Sequence, residues 1–437
     1  MARTTALGRD FPAYKASAQP PLASQASVLA PTGVLRLEEV LRMALLQNPE
    51  LSSTVFEVRT AEARALQASF LPNPELELEL EDFGGTGEVR GVQASESTFQ
   101  LSQLIELGGK RTKRFRAAGL ERDLATWDYE AKRLEVLTEA TKAFIDVLAA
   151  QERLGGKENT VGLSEQVLNA ALERIKPGKV APIEATKASV EASNARLQVE
   201  HARSALEAAR KRLSAFWGST RPAFERASGA LEAGITRVPP AEELTKRLSQ
   251  NPDLARWAVE MEARKADLGV EQSKRIPDVT VSGGVRYFNQ TDDTGFIVKL
   301  SLPLLLFDQN RGGVLEARFQ LSRAEEERRV AEVRLGTALA EVYQSLTTAY
   351  RDVTVIQRDV LPAAQEAFDV ATEGYRQGKF GFLDVLDAQR TLFDTKGQYL
   401  EALSAYHRAA AEAERLIGEP LLTLTDDPKT PSHEETR

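Results

Sequence analysis

The sequence repeats itself once, over most of its length. EEVLRMALLQNPEL (38–51) returns as EELTKRLSQNPDL (242–254), which sets Asn48-Pro49 on Asn251-Pro252 at an offset of 203 residues. Pro74 then falls on Pro277 and Arg111 on Arg311. RIKPGKVAPIEATKA (174–188) is answered by YRQGKFGFLDVLDAQ (375–389), and Gly218 by Gly418, 200 residues later. Two long units exclude the short-period solenoids, whose repeats run to about 20–50 residues, and predict a pseudo-symmetric fold. The expected organisation is a disordered leader at 1–34, a first repeat at 35–218, a linker at 219–240, a second repeat at 241–419 and a disordered tail at 420–437.

Each copy has one internal order: a helix opened by Asn-Pro, two strand-like segments, a very long helix, a short glycine-containing turn and another long helix. Proline suits the first helical turn because its missing N–H has no partner there. Residues 111–154 contain no proline and would extend about 66 Å as a helix, 182–217 about 54 Å and 383–417 about 52 Å. Apolar side chains recur at intervals of seven: Val199, Leu206 and Leu213 beside Ala195, Ala202, Ala209 and Phe216, and later Leu386, Phe393 and Leu400. That interval keeps one seam against a partner helix, and alanine permits close approach.

The strand-like segments point to a different environment. ELELELE (75–81) puts Leu76, Leu78 and Leu80 on one face of a strand and Glu75, Glu77, Glu79 and Glu81 on the other. Phe296, Val298, Leu300, Leu302 and Leu304 alternate likewise, as do Val279, Val281, Val285 and Tyr287. The fourth segment, 98–105, is weaker because Gln103 interrupts its apolar face. The glycine-rich 83–97 and NQTDDTG (289–295) read as the turns of two hairpins. Four amphipathic strands match membrane-barrel strands in length and alternation. They are too few to close alone, and a bilayer tolerates no open edge, so two or three copies of the chain must combine. A small soluble sheet packed on helices is the other reading of these segments.

Composition removes most alternatives. With 56 Lys+Arg against 64 Asp+Glu the net charge is −8, which argues against a nucleic-acid partner. There is no cysteine, hence no disulfide, thiolate metal site, cysteine nucleophile or N-terminal lipid-bearing cysteine, and His201, His407 and His433 lie far apart. No nucleophile–base pair suggests an enzyme, and GGK at 108–110 lacks the spacing of a phosphate loop. Met43 and Met261 are isolated, so no metal site and no cofactor are expected. The longest apolar run, 302–307, is far short of the ~20 residues of a spanning helix. The Ser/Ala/Pro-rich start has no signal-peptide core, so if the protein is exported its targeting segment is expected to be missing here or the start to be misassigned.

Two hairpins, two long helix pairs and a duplicated layout resemble the TolC-like outer-membrane efflux channels over about 35–418. The sharpest motif is YRQGKFGFLDVLDAQRTLFDTKGQYLEALSAYHRAAAEAERLIG (375–418), with GKVAPIEATKASVEASNARLQ (178–198) as its weaker first-copy partner. PLLLFDQNRGGVLEA (303–317) is similar to the heavy-metal efflux branch, the CzcC- and CusC-like channels. The resemblance implies a mostly α fold with a membrane β-barrel portion. Long antiparallel coiled-coil helices of a homotrimer would form a periplasmic α-barrel, and four strands per chain would complete a twelve-stranded barrel in outer-membrane lipid. It implies a passive duct that receives substrates, metal cations or other small molecules, from an inner-membrane pump of the RND type through a periplasmic adaptor.

By position, the resemblance makes Asp384 and Asp387 acidic rings of a periplasmic gate, Glu184 a first-copy gate acid and Tyr375 a tie between helix pairs. A Tyr375–Glu184 hydrogen bond is expected to hold the closed state. Phe380 stands where some relatives carry a gate-locking arginine, so an apolar constriction is expected there. Gly178, Lys179, Gly378 and Lys379 become adaptor-contact tips, and the four strand glutamates a lumen lining that favours cations. Asp384 has a plainer reading as a helix N-terminal charge. The competing function is a coiled-coil scaffold without a pore, which has no use for the leucine alternation.

Overall fold

The computed structural model describes residues 31–175 and 182–421. The leader up to 30, Gly178, Lys179 and the tail from 422 lie outside the described residues. The elements run β1 (Gly33–Leu35), α1 (Leu37–Gln47), α2 (Pro49–Ala68), β2 (Glu75–Glu81), β3 (Glu96–Ile105), α3 (Lys110–Ile175), α4 (Pro182–Ala215) and β4 (Phe224–Ala227). The second half continues with α5 (Ala241–Arg247), α6 (Pro252–Ser273), β5 (Val279–Phe288), β6 (Asp293–Ser301), α7 (Arg311–Val355), α8 (Leu361–Arg376) and α9 (Phe382–Ile417). The order is the duplicated one read from the sequence. The chain divides into two compact units, one holding the described parts of Met1–Thr54, Tyr129–Pro252 and Glu332–Arg437, the other Val55–Asp128 and Asp253–Ala331.

In the first unit the Asn-Pro pairs show why the repeat begins there. Asn48 Oδ1 accepts the N–H groups of Glu50 and Leu51 at 2.9 and 3.1 Å, capping α2, while its amide donates to the Phe216 carbonyl at 3.1 Å. Asn251 likewise donates to the carbonyl of Leu416 at 3.0 Å. Each asparagine thus ties the start of its copy to the last turn of the same copy. Gly218 and Gly418 end those last turns in matching left-handed conformations, φ 72 and 71, the conformation that glycine reaches without a Cβ penalty.

The seven-residue interval also holds: α4 buries Val199 and Leu213 of one expected row and the alanines of its neighbour, and α9 buries a row one residue to the side of the expected one. In α9 the continuous buried line is Val385, Leu392, Tyr399, Tyr406 and Ala413, with Leu386 at its margin and Phe393 and Leu400 only half-buried. In α4 the alanines carry the seam: Ala188, Ala195, Ala202 and Ala209 are all buried, whereas Leu206 is half-buried. A short π-helical turn, Ile356–Val360, separates α7 from α8 just before Pro362. Proline gives the ladder no N–H and crowds the carbonyl a turn behind it, which accounts for the widened turn.

Three boundary expectations need correction. β1 pairs in parallel with β4, Gly33 opposite Phe224, so Gly33 and Val34 are strand rather than leader and the linker carries a strand. That linker is stitched down: Gln151 exchanges two hydrogen bonds with the Ala227 backbone, Tyr406 Oη donates to the Thr236 carbonyl at 2.9 Å, and His407 Nε2–H donates to the Leu231 carbonyl at 2.6 Å. Leu421, placed in the tail by sequence, is buried, and its N–H donates to Glu414 Oε1 at 3.0 Å. Burial of Glu414 raises its carboxyl to about 7.

The second unit contains one antiparallel sheet in the order β2-β3-β5-β6. The two expected hairpins form and join through β3 and β5. β6 stops at Ser301 instead of running on through Leu304, because Pro303 cannot donate to a ladder. Gln103, the residue that weakened β3 in the sequence, donates to the backbone carbonyls of Pro72 and Leu104 at 3.0 Å each. It therefore satisfies the strand end.

Candidate functional site

Two places on the chain carry the expected site residues, and each is built by local sequence logic. The first is the sheet. Register places Leu76 opposite Leu101, Leu78 opposite Phe99, Phe99 opposite Val285 and Val285 opposite Phe296. The result is one apolar face that is open to its surroundings: Phe296 is 89% exposed, Val298 85% and Leu76 69%. A soluble protein rarely leaves so large a contiguous apolar patch uncovered. No helix among the described residues is long and apolar enough to cross a membrane.

The opposite face is polar and internally bonded. Glu77 accepts from Gln100 at 3.0 Å, and Ser102 Oγ donates to Ser282 Oγ at 2.8 Å. Arg286 bridges Glu81 at 3.1 Å and Glu96 at 2.7 Å and donates to Thr98 at 3.0 Å. All four predicted strand glutamates lie on this face, Glu75, Glu77 and Glu79 exposed and Glu81 half-buried. Gly284 sits where a Cβ would strike the Phe99 carbonyl, which keeps β3 and β5 close. Alternation in the sequence already puts Arg286 on the polar side of β5, but sequence reading missed Glu96 and Gln100 as members of this face. Their partners lie on other strands, so only the register reveals them.

The second place is the tip joining α8 to α9. Gly378 turns at φ 76, and the Gly374 carbonyl accepts the N–H of Lys379 at 2.8 Å and of Phe380 at 3.3 Å. Gly374 lacks a side chain where the Phe380 ring lies; a Cβ there would collide with it. Phe380 is therefore folded against its own hairpin and 44% exposed. Tyr375 is buried, its ring 6.2 Å from that of Phe382, in a cluster with Ala171, Ala188, Phe368 and Val385.

Asp384 Oδ2 accepts the Gly381 N–H at 2.7 Å, so this acid caps α9, as its plainer reading required, and is also exposed. Asp387 is exposed and lines a groove of about 550 Å³ between α4 and α9 with Lys187, Glu191 and Arg390, the last two paired at 3.1 Å. Glu184 Oε2 is shielded from water and accepts no hydrogen bond among the described residues, so the expected bond from Tyr375 does not form through this oxygen. No cluster of three or more metal-ligating side chains occurs among the described residues.

An open sheet with one apolar and one hydrogen-bonded polar face, carried by a duplicated set of long helices, matches known proteins closely. The family model described as outer membrane efflux protein matches residues 40–219 and again 244–419, the two copies of the repeat. The chain is 35% identical over 386 residues to the cobalt-zinc-cadmium resistance protein CzcC of Cupriavidus metallidurans, covering 88% of this chain and 90% of the relative. It is 34% identical over 307 residues to the nickel and cobalt resistance protein CnrC of the same organism, covering 69% and 70%. Among solved structures, CusC superposes with a TM-score of 0.75 over 93% of this chain and 98% of that one, at 18% identity. The open-state MtrE channel of Neisseria gonorrhoeae gives 0.73 over 88% and 89%, also at 18%. The family is made up of efflux channel proteins that work with an adaptor and an inner-membrane pump. The chain belongs to the outer membrane efflux protein family and is the outer-membrane duct of a tripartite efflux system.

Proposed function

We propose that three copies of this chain form the duct and that its cargo is divalent transition-metal cations. The observation that carries the assembly is the sheet: β2 and β6 are both unpaired edges, and unpaired backbone groups cannot be left in hydrocarbon. Three copies bring twelve strands, which close those edges with the leucine face toward lipid and the glutamate face toward water. The similarity to cobalt-, zinc-, cadmium- and nickel-resistance proteins supports the cargo.

In this reading the strand glutamates give the exit a negative lining that favours cations, as rings of carboxylates do in narrow pores. Asp384 and Asp387 supply further carboxylate rings at the tip, with Glu184 beside them. Tyr375 fastens the two helix pairs, and Phe380 narrows the bore once it leaves Gly374. Gly378 and Lys379, with Gly178 and Lys179 in the first copy, are the adaptor contacts, and the pump is of the RND type. The test is expression in a strain that retains a metal-exporting pump and adaptor but lacks their outer-membrane channel. Restored zinc and cobalt tolerance is expected; unrestored metal tolerance with restored detergent or dye tolerance overturns the cargo.

A further inference from the structure

β6 carries a single cation, Lys299, on the face where β2 presents nothing but acids. Lys299 lies on the face shared by Ser282, Ser102 and Glu75, because register pairs Glu75 with Ser102, Ser102 with Ser282 and Ser282 with Lys299. Every β2 residue on that face is a glutamate. Inside one chain the two edges are separated by three strand spacings, about 14 Å, and Lys299 makes no ion pair among the described residues. Glu77 and Glu81 are already engaged by Gln100 and Arg286, whereas Glu75 and Glu79 are exposed and unengaged, so the choice between these two falls to the register of the seam.

Building on the three-copy reading above, we propose that Lys299 of each copy pairs with Glu79 of the next copy, and that this pair fixes the register of the subunit seam. Side-chain alternation allows only even shifts, since an odd shift would turn leucines inward. Strands tilted by ~35–45° and spaced ~4.8 Å apart rise about 13–19 Å across four strands, which is about four to six residues. A shift of four places Lys299 directly opposite Glu79. A shift of six places it opposite Glu81, which Arg286 already holds. The opposite sense would set Lys299 against residues before β2, where Pro72 and Pro74 offer no N–H to a ladder. At the shift of four, Val298 meets Leu80, Leu300 meets Leu78 and Leu302 meets Leu76, so the lipid-facing surface runs unbroken across the seam.

Because the chain has no cysteine, a disulfide scan is clean. Lys299→Cys is combined in turn with Glu75→Cys, Glu77→Cys, Glu79→Cys and Glu81→Cys, and outer membranes are oxidised and run without reductant. The two positions of one chain are too far apart to bridge, as a disulfide needs Cα atoms within about 7 Å. Cross-linked oligomer at least tenfold above either single-cysteine variant is expected for the Glu79 pair. Trimers lost on heating in Lys299→Glu should return in Lys299→Glu with Glu79→Lys. Preferential cross-linking through Glu75, Glu77 or Glu81, or none in a preparation whose detergent mass is three copies, overturns the proposed seam. A single-copy mass overturns the three-copy reading itself.

Discussion

Replacing Asn48 by alanine removes three hydrogen bonds at once, and the structure says where the loss must appear. The side chain is 5% exposed, so no water stands ready to take over its role. Loss of an asparagine N-cap costs about 1 kcal/mol, within a range of about 0.5–2. Leaving the part-buried Phe216 carbonyl unpaired adds about 1–3 kcal/mol. Together these come to about 2–4 kcal/mol, or a rise of about thirtyfold to a thousandfold in the opening equilibrium. Hydrogen exchange followed by mass spectrometry on the detergent-solubilised protein reads this directly. Peptides covering 48–52 should exchange faster by that factor, and so should 213–219, although 168 residues separate the two ends of the bond. Asn48→Asp keeps the acceptor for Glu50 and Leu51 but loses the amide donor, so it should relieve 48–52 and leave 213–219 fast. If 213–219 keeps its wild-type exchange in the alanine variant, the bond to Phe216 contributes nothing and the physical account of the repeat boundary is wrong.

Other outcomes follow from single contacts. Glu414 has a folded-state pKa of about 7 against an ordinary 4.5, so its contribution to stability is fully present below about pH 4.5 and is lost as pH rises to about 7. The loss reaches about 3 kcal/mol, and Glu414→Gln should flatten that part of a pH-dependent unfolding curve while keeping the acceptor for Leu421. Gly374→Ala drives a methyl into the Phe380 ring and should cost about 1–3 kcal/mol. Adding Phe380→Ala should cost less than the sum of the two single changes in a double-mutant cycle. Replacing Glu75, Glu77, Glu79 and Glu81 by glutamine should shift planar-bilayer reversal potentials away from cation preference; an unchanged potential rules the strand acids out as the selectivity element.

Much of this was legible one segment at a time. ELELELE has a single amphipathic solution as a strand, and β2 formed where that alternation lies. The lengths of α4 and α9 followed from the absence of proline, whereas α3 runs on through Gly155 and Gly156 to Ile175, well past the expected 154; the interval of seven was visible as well. Its phase was not: Leu386, Phe393 and Leu400 look like the better core row, yet Val385, Leu392 and Tyr399 are buried deeper. Which of two neighbouring rows faces inward depends on the partner helices, not on the helix itself. Asn48 and Asn251 were noticed for the prolines after them, while the amides carry the long-range bonds. Phe380 illustrates the same limit, since its resting place is a bare patch on Gly374 that no local pattern announces. Leader and tail boundaries failed by one or two residues because Val34 and Leu421 find partners far along the chain.

The central claim is that the leucine-and-glutamate strands of separate copies join to enclose a water-filled passage through lipid. Mass determination on the detergent-solubilised complex, with single-channel conductance recorded from the same sample, tests it most directly. The account predicts three chains per particle and a cation-preferring conducting pore. A particle of one chain that stays in solution without detergent and carries no current would contradict it.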